Sequence, residues 1–424
     1  MSKPYEIHRF PNGLTLALAP MPEMASVSVG LWVAVGGRHE SATLNGASHF
    51  IEHMLFKGTR RRSARDISQA VEGVGGYLNA FTSEEHTCFY AKARHDRFAE
   101  VFDVLADMFL NSTFDPGEME KERAVIKEEL AMYNDQPHHR VEELLNAIQW
   151  PDHPLGRPLT GTEETIASLT REELLAYRRE RHVAPAVLVA VAGRLRPREC
   201  RRAAARLAAR VRTGALPESL PVQPVRREPV VRLDRRPAEQ TQLALGVRTC
   251  SRHDDRRYAL RLLNVILGEN MSSRLFQELR EDTGLAYNVA SSLSFFEDAG
   301  DLVVAAGLEA GNLLQALRLT VAEFRRLKAK RPAAAELQRA RDYVIGQIDL
   351  SLENTEHQMM WLGEQLTGYG RTFSPAAVKR RLVRVTGAEV QAAACDFFRP
   401  ERLSLALVGP VRSRTGLKEL LARV

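Results

Sequence analysis

Two histidines and a glutamate stand close together in the sequence His-Phe-Ile-Glu-His at residues 49–53. On an α-helix His49 and His53 are one turn apart and Glu52 lies three residues from His49, so all three project from one face. Two such imidazoles can bind one zinc ion, and an adjacent carboxylate can accept a proton from water. The alternative is a solvent-exposed polar face, but the apolar and small flanking residues favour a metal site.

The third ligand must come from elsewhere in the chain, because a hydrolytic zinc site has three protein ligands and an open position for water. Residues 118–133 (EMEKERAVIKEELAMY) have a strong helical pattern. Glu122 and Glu129 lie seven residues apart in it, which is two turns along one face. From the residues alone, one of them could bind the metal while the other holds a ligand or water. A charged helix face exposed to solvent is an equal alternative.

The composition is that of a folded globular protein. The chain has 424 residues, of which 44% are hydrophobic and 26% charged, and its length predicts two or three domains. The net charge of +6 is small and mixed along the chain, so we expect no nucleic-acid or membrane partner. The four scattered cysteines and a start without an apolar segment predict a cytoplasmic protein.

A proline-rich stretch divides the chain near its midpoint. Three prolines fall in TGALPESLPVQPV (residues 213–225), which has no helical or strand period. Proline stiffens the backbone and removes hydrogen-bond donors, so this stretch is predicted to be a semi-rigid linker. We predict an N-terminal domain at residues 1–212, a linker at 213–229 and a C-terminal domain at 230–424.

The two halves repeat one pattern. Strand-like runs at residues 25–35 and 241–249 are each followed by a charged turn and a helix. Apolar runs that end at Gly193 and Gly409, 216 positions apart, close the two halves. We infer an internal duplication with diverged sequence. Short alternating strands together with long helices predict an α+β fold with helices packed on one face of a sheet.

Four ordered blocks resemble the pitrilysin, insulinase and mitochondrial processing peptidase family of zinc peptidases, family M16. HFIEHMLFKGT (residues 49–59) resembles its first signature, in which H-x-x-E-H inverts the thermolysin order. Residues 75–93, 120–137 and 272–292 resemble later blocks. The resemblance implies a short, bacterial-type member with two homologous domains, each a mainly antiparallel sheet with helices on one face (LuxS/MPP-like). The second domain would bind no metal.

The resemblance also implies roles for individual residues. His49, His53 and Glu129 would bind one Zn²⁺ per active site. Glu52 would be the general base on a zinc-bound water. Glu122 would be the carboxylate that supports the ligands from behind.

Further family roles concern the substrate. Arg280 and Tyr287, in the second half, match a pair that reaches the substrate and the developing oxyanion. The segment YLNAFT (residues 77–82) is predicted to be an edge strand, which a peptide can extend through main-chain hydrogen bonds. The resemblance sets the substrate against Asn79, Ala80 and Phe81. An ordinary hairpin strand is the alternative.

The predicted function is that of a zinc-dependent endopeptidase that hydrolyses peptides or unfolded polypeptide segments in a closed chamber. The alternatives are a dedicated processing protease for one peptide precursor and a non-catalytic scaffold subunit. Longer family members carry four such domains in one chain, so the resemblance implies a homodimer whose Arg280 and Tyr287 complete the partner's site. A heterodimer with a motif-lacking homologue is the alternative assembly.

Overall fold

The computed structural model describes residues 5–224, 228–411 and 413–424. By packing, the chain forms two compact units, each of which draws on both halves of the sequence. The first unit comprises Met1–Leu130, Arg157–Leu220 and Asp349–Ser374, and the second comprises Ala131–Gly156, Pro221–Ile348 and Pro375–Val424.

The domain boundaries predicted from the sequence divide the chain linearly and stay a prediction. The compact units differ from that division because one segment of each half packs with the other half's sheet. In the predicted linker at residues 213–229, residues 213–224 form neither helix nor strand. Residues 225–227 of the linker lie outside the described residues.

The first unit contains a six-stranded sheet with the order β1-β2-β6-β3-β5-β4. β2 and β6 are parallel, and the other neighbours are antiparallel. The strands are β1 (Glu6–Arg9), β2 (Thr15–Pro20), β3 (Ser26–Val33), β4 (Tyr77–Thr82), β5 (Thr87–Arg94) and β6 (Val187–Gly193). The predicted edge strand at residues 77–82 is confirmed, since β4 ends the sheet.

Apolar side chains that alternate along these strands give the first sheet two buried faces. The larger core lies between one face and a layer of helices. The helices of this layer are α1 (Ala47–Leu55), α2 (Ala64–Glu72), α3 (Phe98–Asn111), α4 (Pro116–Asp135), α6 (Glu163–Ser168), α7 (Arg171–Arg181) and α8 (Pro197–Ala208), with α5 (Pro137–Gln149) following α4 in the chain.

The second unit contains a five-stranded sheet with the order β7-β11-β8-β10-β9, in which β7 and β11 are parallel. The strands are β7 (Val230–Arg235), β8 (Thr241–Thr249), β9 (Ala286–Phe295), β10 (Gly300–Leu308) and β11 (Leu403–Gly409). The helices after β8 are α9 (Arg257–Asn264), α10 (Arg274–Phe276), α11 (Leu313–Ala329), α12 (Ala334–Ser351), α13 (Thr355–Tyr369), α14 (Pro375–Arg384), α15 (Gly387–Phe397) and α16 (Leu417–Leu421). Two π-helical segments, Val265–Glu269 and Gln277–Asp282, follow α9 and α10.

The two sheets support the inferred duplication. The order β2-β6-β3-β5-β4 corresponds strand by strand to β7-β11-β8-β10-β9, and each has its parallel pair in the same place. The predicted α+β fold with two mainly antiparallel sheets is therefore confirmed. Across the described residues, every helix is too short or too polar to cross a lipid bilayer.

Each sheet also carries one helix on its other face, which the sequence analysis did not foresee. In the first unit α13 covers Trp32 with Met359 and Leu362, and the Trp32 indole nitrogen donates to the Met359 sulfur at 3.4 Å. In the second unit α5 packs Val141 and Leu145 onto the sheet. Each helix comes from the opposite half of the sequence, which is why linear domain boundaries differ from the packed units.

This packing predicts opposite effects for one substitution at two helical glycines. A Cβ at Gly363 in α13 would overlap the Trp32 indole, whereas a Cβ at Gly346 in α12 would meet no atom within 4 Å. We expect Gly363→Ala to lower the free energy of unfolding by about 1–3 kcal/mol through overpacking. Gly346→Ala, the matched control, should raise it by about 0.5–1 kcal/mol. Denaturant titration measures both, and equal effects would contradict the packing of α13.

Candidate active site

Helix α1 presents the paired histidines on one face. Phe50 and Met54 are fully buried in the core and fix the other face of the helix. The rings of His49 and His53 lie side by side, with their centroids 4.6 Å apart. Both rings keep some exposure to solvent, so a small molecule or ion can reach them.

Helix α4 brings Glu129 to the two imidazoles. Its Oε2 lies 3.7 Å from Nε2 of His49 and 3.8 Å from Nε2 of His53. These separations are too long for hydrogen bonds. They are close to the spacing of about 3.3–3.5 Å between ligand atoms around a tetrahedral zinc ion with bonds of about 2.0–2.1 Å. Ligand atoms of these three residues lie within 4.8 Å of one another, and no other such group occurs among the described residues.

Burial keeps His49 in the form that binds metals. Removal of its ring from water, with a smaller contribution from neighbouring His53, lowers the pKa of His49 to about 3. The imidazole is therefore neutral at pH 7 and has a free lone pair. Two imidazole nitrogens and one carboxylate oxygen form a donor set that suits zinc, so the residues present fit the ion.

Glu122 supports His53 from the side away from Glu129. Its buried carboxylate contacts Nδ1 of His53 at 3.0 Å and the ammonium of Lys57 at 2.6 Å. A carboxylate on Nδ1 leaves the lone pair of Nε2 directed at Glu129, because it fixes the tautomer of the ring. The geometry thus favours Glu129 as the metal ligand, since it lies beside both Nε2 atoms, and Glu122 as the residue that supports a ligand, since it lies behind one ring.

Glu52 lies next to this group and beside the edge strand. Its carboxylate accepts a hydrogen bond of 2.6 Å from the Thr82 hydroxyl, at the end of β4. Burial raises the pKa of Glu52, and the Thr82 hydrogen bond opposes this shift in part. A carboxyl group with a raised pKa can both accept and release a proton near neutral pH.

A cavity of about 370 Å³ opens beside Glu52 and His53 and is lined on another side by Asn79 and Ala80 of β4. Phe81, predicted with them, does not share this position. Side chains alternate along a strand, so Phe81 lies on the opposite face of β4 from Ala80, and its ring packs edge-on against Trp32, with the centroids 5.7 Å apart.

Arg280 and Tyr287 belong to the second unit. The Arg280 guanidinium stacks over the rings of Phe276 and Tyr287, at 5.0 and 5.9 Å from their centroids. Tyr287, near the start of edge strand β9, is 75% exposed. The structure thus brings these two residues to each other, and their part in catalysis stays a prediction.

The sequence analysis missed two residues that contact the candidate active site. Lys57 neutralises Glu122, and Thr82 holds Glu52. Both had a detectable signal, since Lys57 lies one helical turn after His53 and Thr82 ends the predicted edge strand. Neither type is a usual zinc ligand, so neither was selected.

Comparison with known proteins identifies the family. The sequence profile described as insulinase (peptidase family M16) matches residues 15–163, and the profile of the peptidase M16 inactive domain matches residues 168–344. A Bacillus subtilis protein named uncharacterized zinc protease YmxG is 38% identical over 94% of this chain and 97% of its own length. The chain belongs to peptidase family M16. An uncharacterized zinc protease of Mycobacterium leprae is 37% identical over 97% of this chain and 93% of its own length.

Two solved structures share this fold over nearly their whole length. A protease from Helicobacter pylori superposes with a TM-score of 0.91 at 20% identity, covering 96% of this chain and 99% of its own. The structure titled peptidase M16 inactive domain from Pseudomonas fluorescens gives 0.88 at 20% identity, covering 97% and 99%. The M16 fold therefore extends over nearly the whole chain, and the names of the sequence relatives support a zinc metallopeptidase.

The geometry of Glu122 leads to a prediction about metal binding. Glu122→Gln removes the charge that fixes His53 and leaves Lys57 unpaired, so we expect divalent metal to bind about 10–100-fold more weakly. Competition with a chromogenic chelator measures this affinity. Glu128→Gln, an exposed position on the same helix, is the matched control and should bind metal like the unmodified chain. Equal affinity in the two variants would refute the supporting role of Glu122.

Proposed function

We propose that this M16 family member is a zinc-dependent endopeptidase that hydrolyses peptides or unfolded polypeptide segments. The observation that carries the proposal is the convergence of His49, His53 and Glu129 within 4.8 Å, directly beside the proton acceptor Glu52. A non-catalytic scaffold subunit would need neither the ligand set nor a carboxyl group with a raised pKa.

His49, His53 and Glu129 would hold the metal. When bound, zinc supplies a Lewis acid that makes water more acidic and a peptide carbonyl more electrophilic. Glu52 accepts the proton of the attacking water and then delivers it to the nitrogen of the leaving amine. Thr82 orients Glu52 for both transfers through its 2.6 Å hydrogen bond.

The substrate would bind as an extended chain along β4. The outer edge of β4 offers main-chain groups that can pair with a peptide regardless of its sequence. Asn79 and Ala80 line the cavity that also contains Glu52, which supports binding beside the proton acceptor. A dedicated protease for one precursor would use the same groups with narrower side-chain selection.

The assembly we propose is a homodimer that encloses the substrate in a chamber, with Arg280 and Tyr287 of one protomer stabilising the oxyanion in the other. The exposure of Tyr287 supports this, because an exposed tyrosine is accessible to a ligand or partner and carries a hydroxyl that can donate to an oxyanion. A heterodimer with a motif-lacking homologue would use the same surfaces.

The catalytic proposal predicts a separation of binding from turnover. Glu52→Gln removes the proton acceptor but leaves the three ligands, so metal affinity should persist while hydrolysis of a quenched fluorescent peptide falls by about 10²–10⁴-fold. Metal content is measured on the same samples. Peptide turnover that Glu52→Gln leaves unaltered would refute the role of Glu52.

The assembly proposal predicts complementation. Glu52→Gln and Tyr287→Phe chains, each weakly active alone, should regain peptide hydrolysis when mixed, because a mixed dimer contains one intact site. Two separately purified Glu52→Gln preparations, mixed in the same way, serve as the control. Absence of rescue, with exchange of subunits verified by mass, would indicate a site completed within one chain.

A further inference from the structure

The helix that carries both histidines begins without a capping side chain. Its N-terminal boundary residue is Gly46, with a φ of +92° and no side-chain hydrogen bond. A Cβ at Gly46 would lie 2.9 Å from the backbone of Thr160 and Gly161. The backbone conformation and this close approach both require glycine. The free amides of the first turn must therefore find an acceptor elsewhere in the chain.

Glu40 supplies that acceptor from six residues before Gly46. One oxygen of its carboxylate accepts the Gly46 amide at 2.8 Å, and the other accepts the Ser48 amide at 2.7 Å. The side-chain amide of Asn45 donates to the first oxygen at 3.2 Å. The residue is buried, with 3% of its surface exposed. One carboxylate thus closes the N-terminal end of α1 in the way a capping side chain would.

The partners of Glu40 suit an ionised carboxylate. Each of these contacts comes from a donor, which an ionised carboxylate accepts with both oxygens. Burial raises the pKa of Glu40, while the amides of Ser48 and Gly46 oppose this shift. The positive end of the helix dipole also favours an anion at this place. The charge is buried, but it is matched by oriented N–H groups.

Glu40 holds the backbone next to a proposed metal ligand. His49 directly follows Ser48 and is the third residue of α1. Its Nδ1 is buried and has no hydrogen-bond partner among the described residues. His53 differs, because Glu122 contacts its Nδ1 at 3.0 Å. The direction of the His49 ring therefore depends on where the first turn of the helix is held.

We propose that Glu40 is the positioning residue for His49, acting through the backbone of Gly46 and Ser48, as Glu122 acts directly on His53. The proposal rests on the proposed metal-binding role of His49 and adds the element that orients it. Each histidine then has its own buried carboxylate, and the two carboxylates come from different parts of the chain. The alternative is that Glu40 contributes only to the general stability of the fold.

Metal affinity separates these two roles. Glu40→Gln keeps the size of the side chain but sets an NH₂ group against a backbone amide, so the first turn should loosen. We expect Zn²⁺, measured by competition with a chromogenic chelator, to bind about 10–100-fold more weakly. The absorption spectrum of bound Co²⁺ should also change, since it reports the ligand geometry. Both readouts are independent of peptide hydrolysis.

The matched control is Glu323→Gln. Glu323 is an equally buried carboxylate, in the second unit, and is paired with Arg274 at 3.3 Å and with Arg326. Its loss should lower the melting temperature without changing Zn²⁺ affinity or the Co²⁺ spectrum. Unchanged affinity in Glu40→Gln, or an equal loss in Glu323→Gln, would overturn the proposal.

A second variant keeps the test decisive if the first one does not fold. If Glu40→Gln does not fold, Glu40→Asp keeps the charge but is one methylene shorter and cannot reach both amides, so its Zn²⁺ affinity should fall by a smaller factor. Affinity equal to that of the unmodified chain would then overturn the role of Glu40. Failure of the unmodified chain to bind Zn²⁺ or Co²⁺ would instead refute the proposed function on which this inference rests.

Discussion

The meeting of two helices is the constraint on which the rest of this structure depends. Helix α1 supplies two imidazoles and α4 supplies a carboxylate, and their ligand atoms come within 4.8 Å of one another. Bringing these polar atoms together removes them from water, which lowers the free energy of unfolding unless hydrogen bonds or a bound ion compensate. The larger core of the first unit offsets this loss, because apolar residues such as Phe50 and Ile126 hold both helices against one face of the sheet.

Three carboxylates lie at or beside the two imidazoles, and their different partners suit them to different roles. Glu122 is paired with Lys57 and orients the ring of His53 through its contact with Nδ1. Glu52 has a neutral hydroxyl partner and a raised pKa, which suits proton transfer. Glu129 faces the two Nε2 atoms and retains exposure to solvent. One residue type thus serves different roles, because the surroundings rather than the side chain set its protonation and its direction.

Each half of the sequence supplies one helix that packs on the sheet of the other half. α13 crosses back to cover the outer face of the first sheet, and α5 does the same for the second. A sheet face left open would expose a contiguous apolar surface of the kind that promotes association. The duplicated halves therefore complete each other, and the hydroxyl of Thr355 in α13 bonds Ser26 and Ser28 of β3 at 3.1 and 2.9 Å.

The sequence by itself determined the fold class, the internal duplication, the edge strand and the pairing of His49 with His53 on one helix, because these depend on local periodicity and on residue spacing. Helical spacing alone left open which glutamate faces the imidazoles, since Glu122 and Glu129 share one helix face, and only the family resemblance favoured Glu129. The tertiary structure brought Glu129 beside both imidazoles and decided the contacts of Lys57, Thr82 and Glu40. It also decided the direction of Phe81 and the exchange of α5 and α13, because contacts between distant segments leave no periodic signal in the chain.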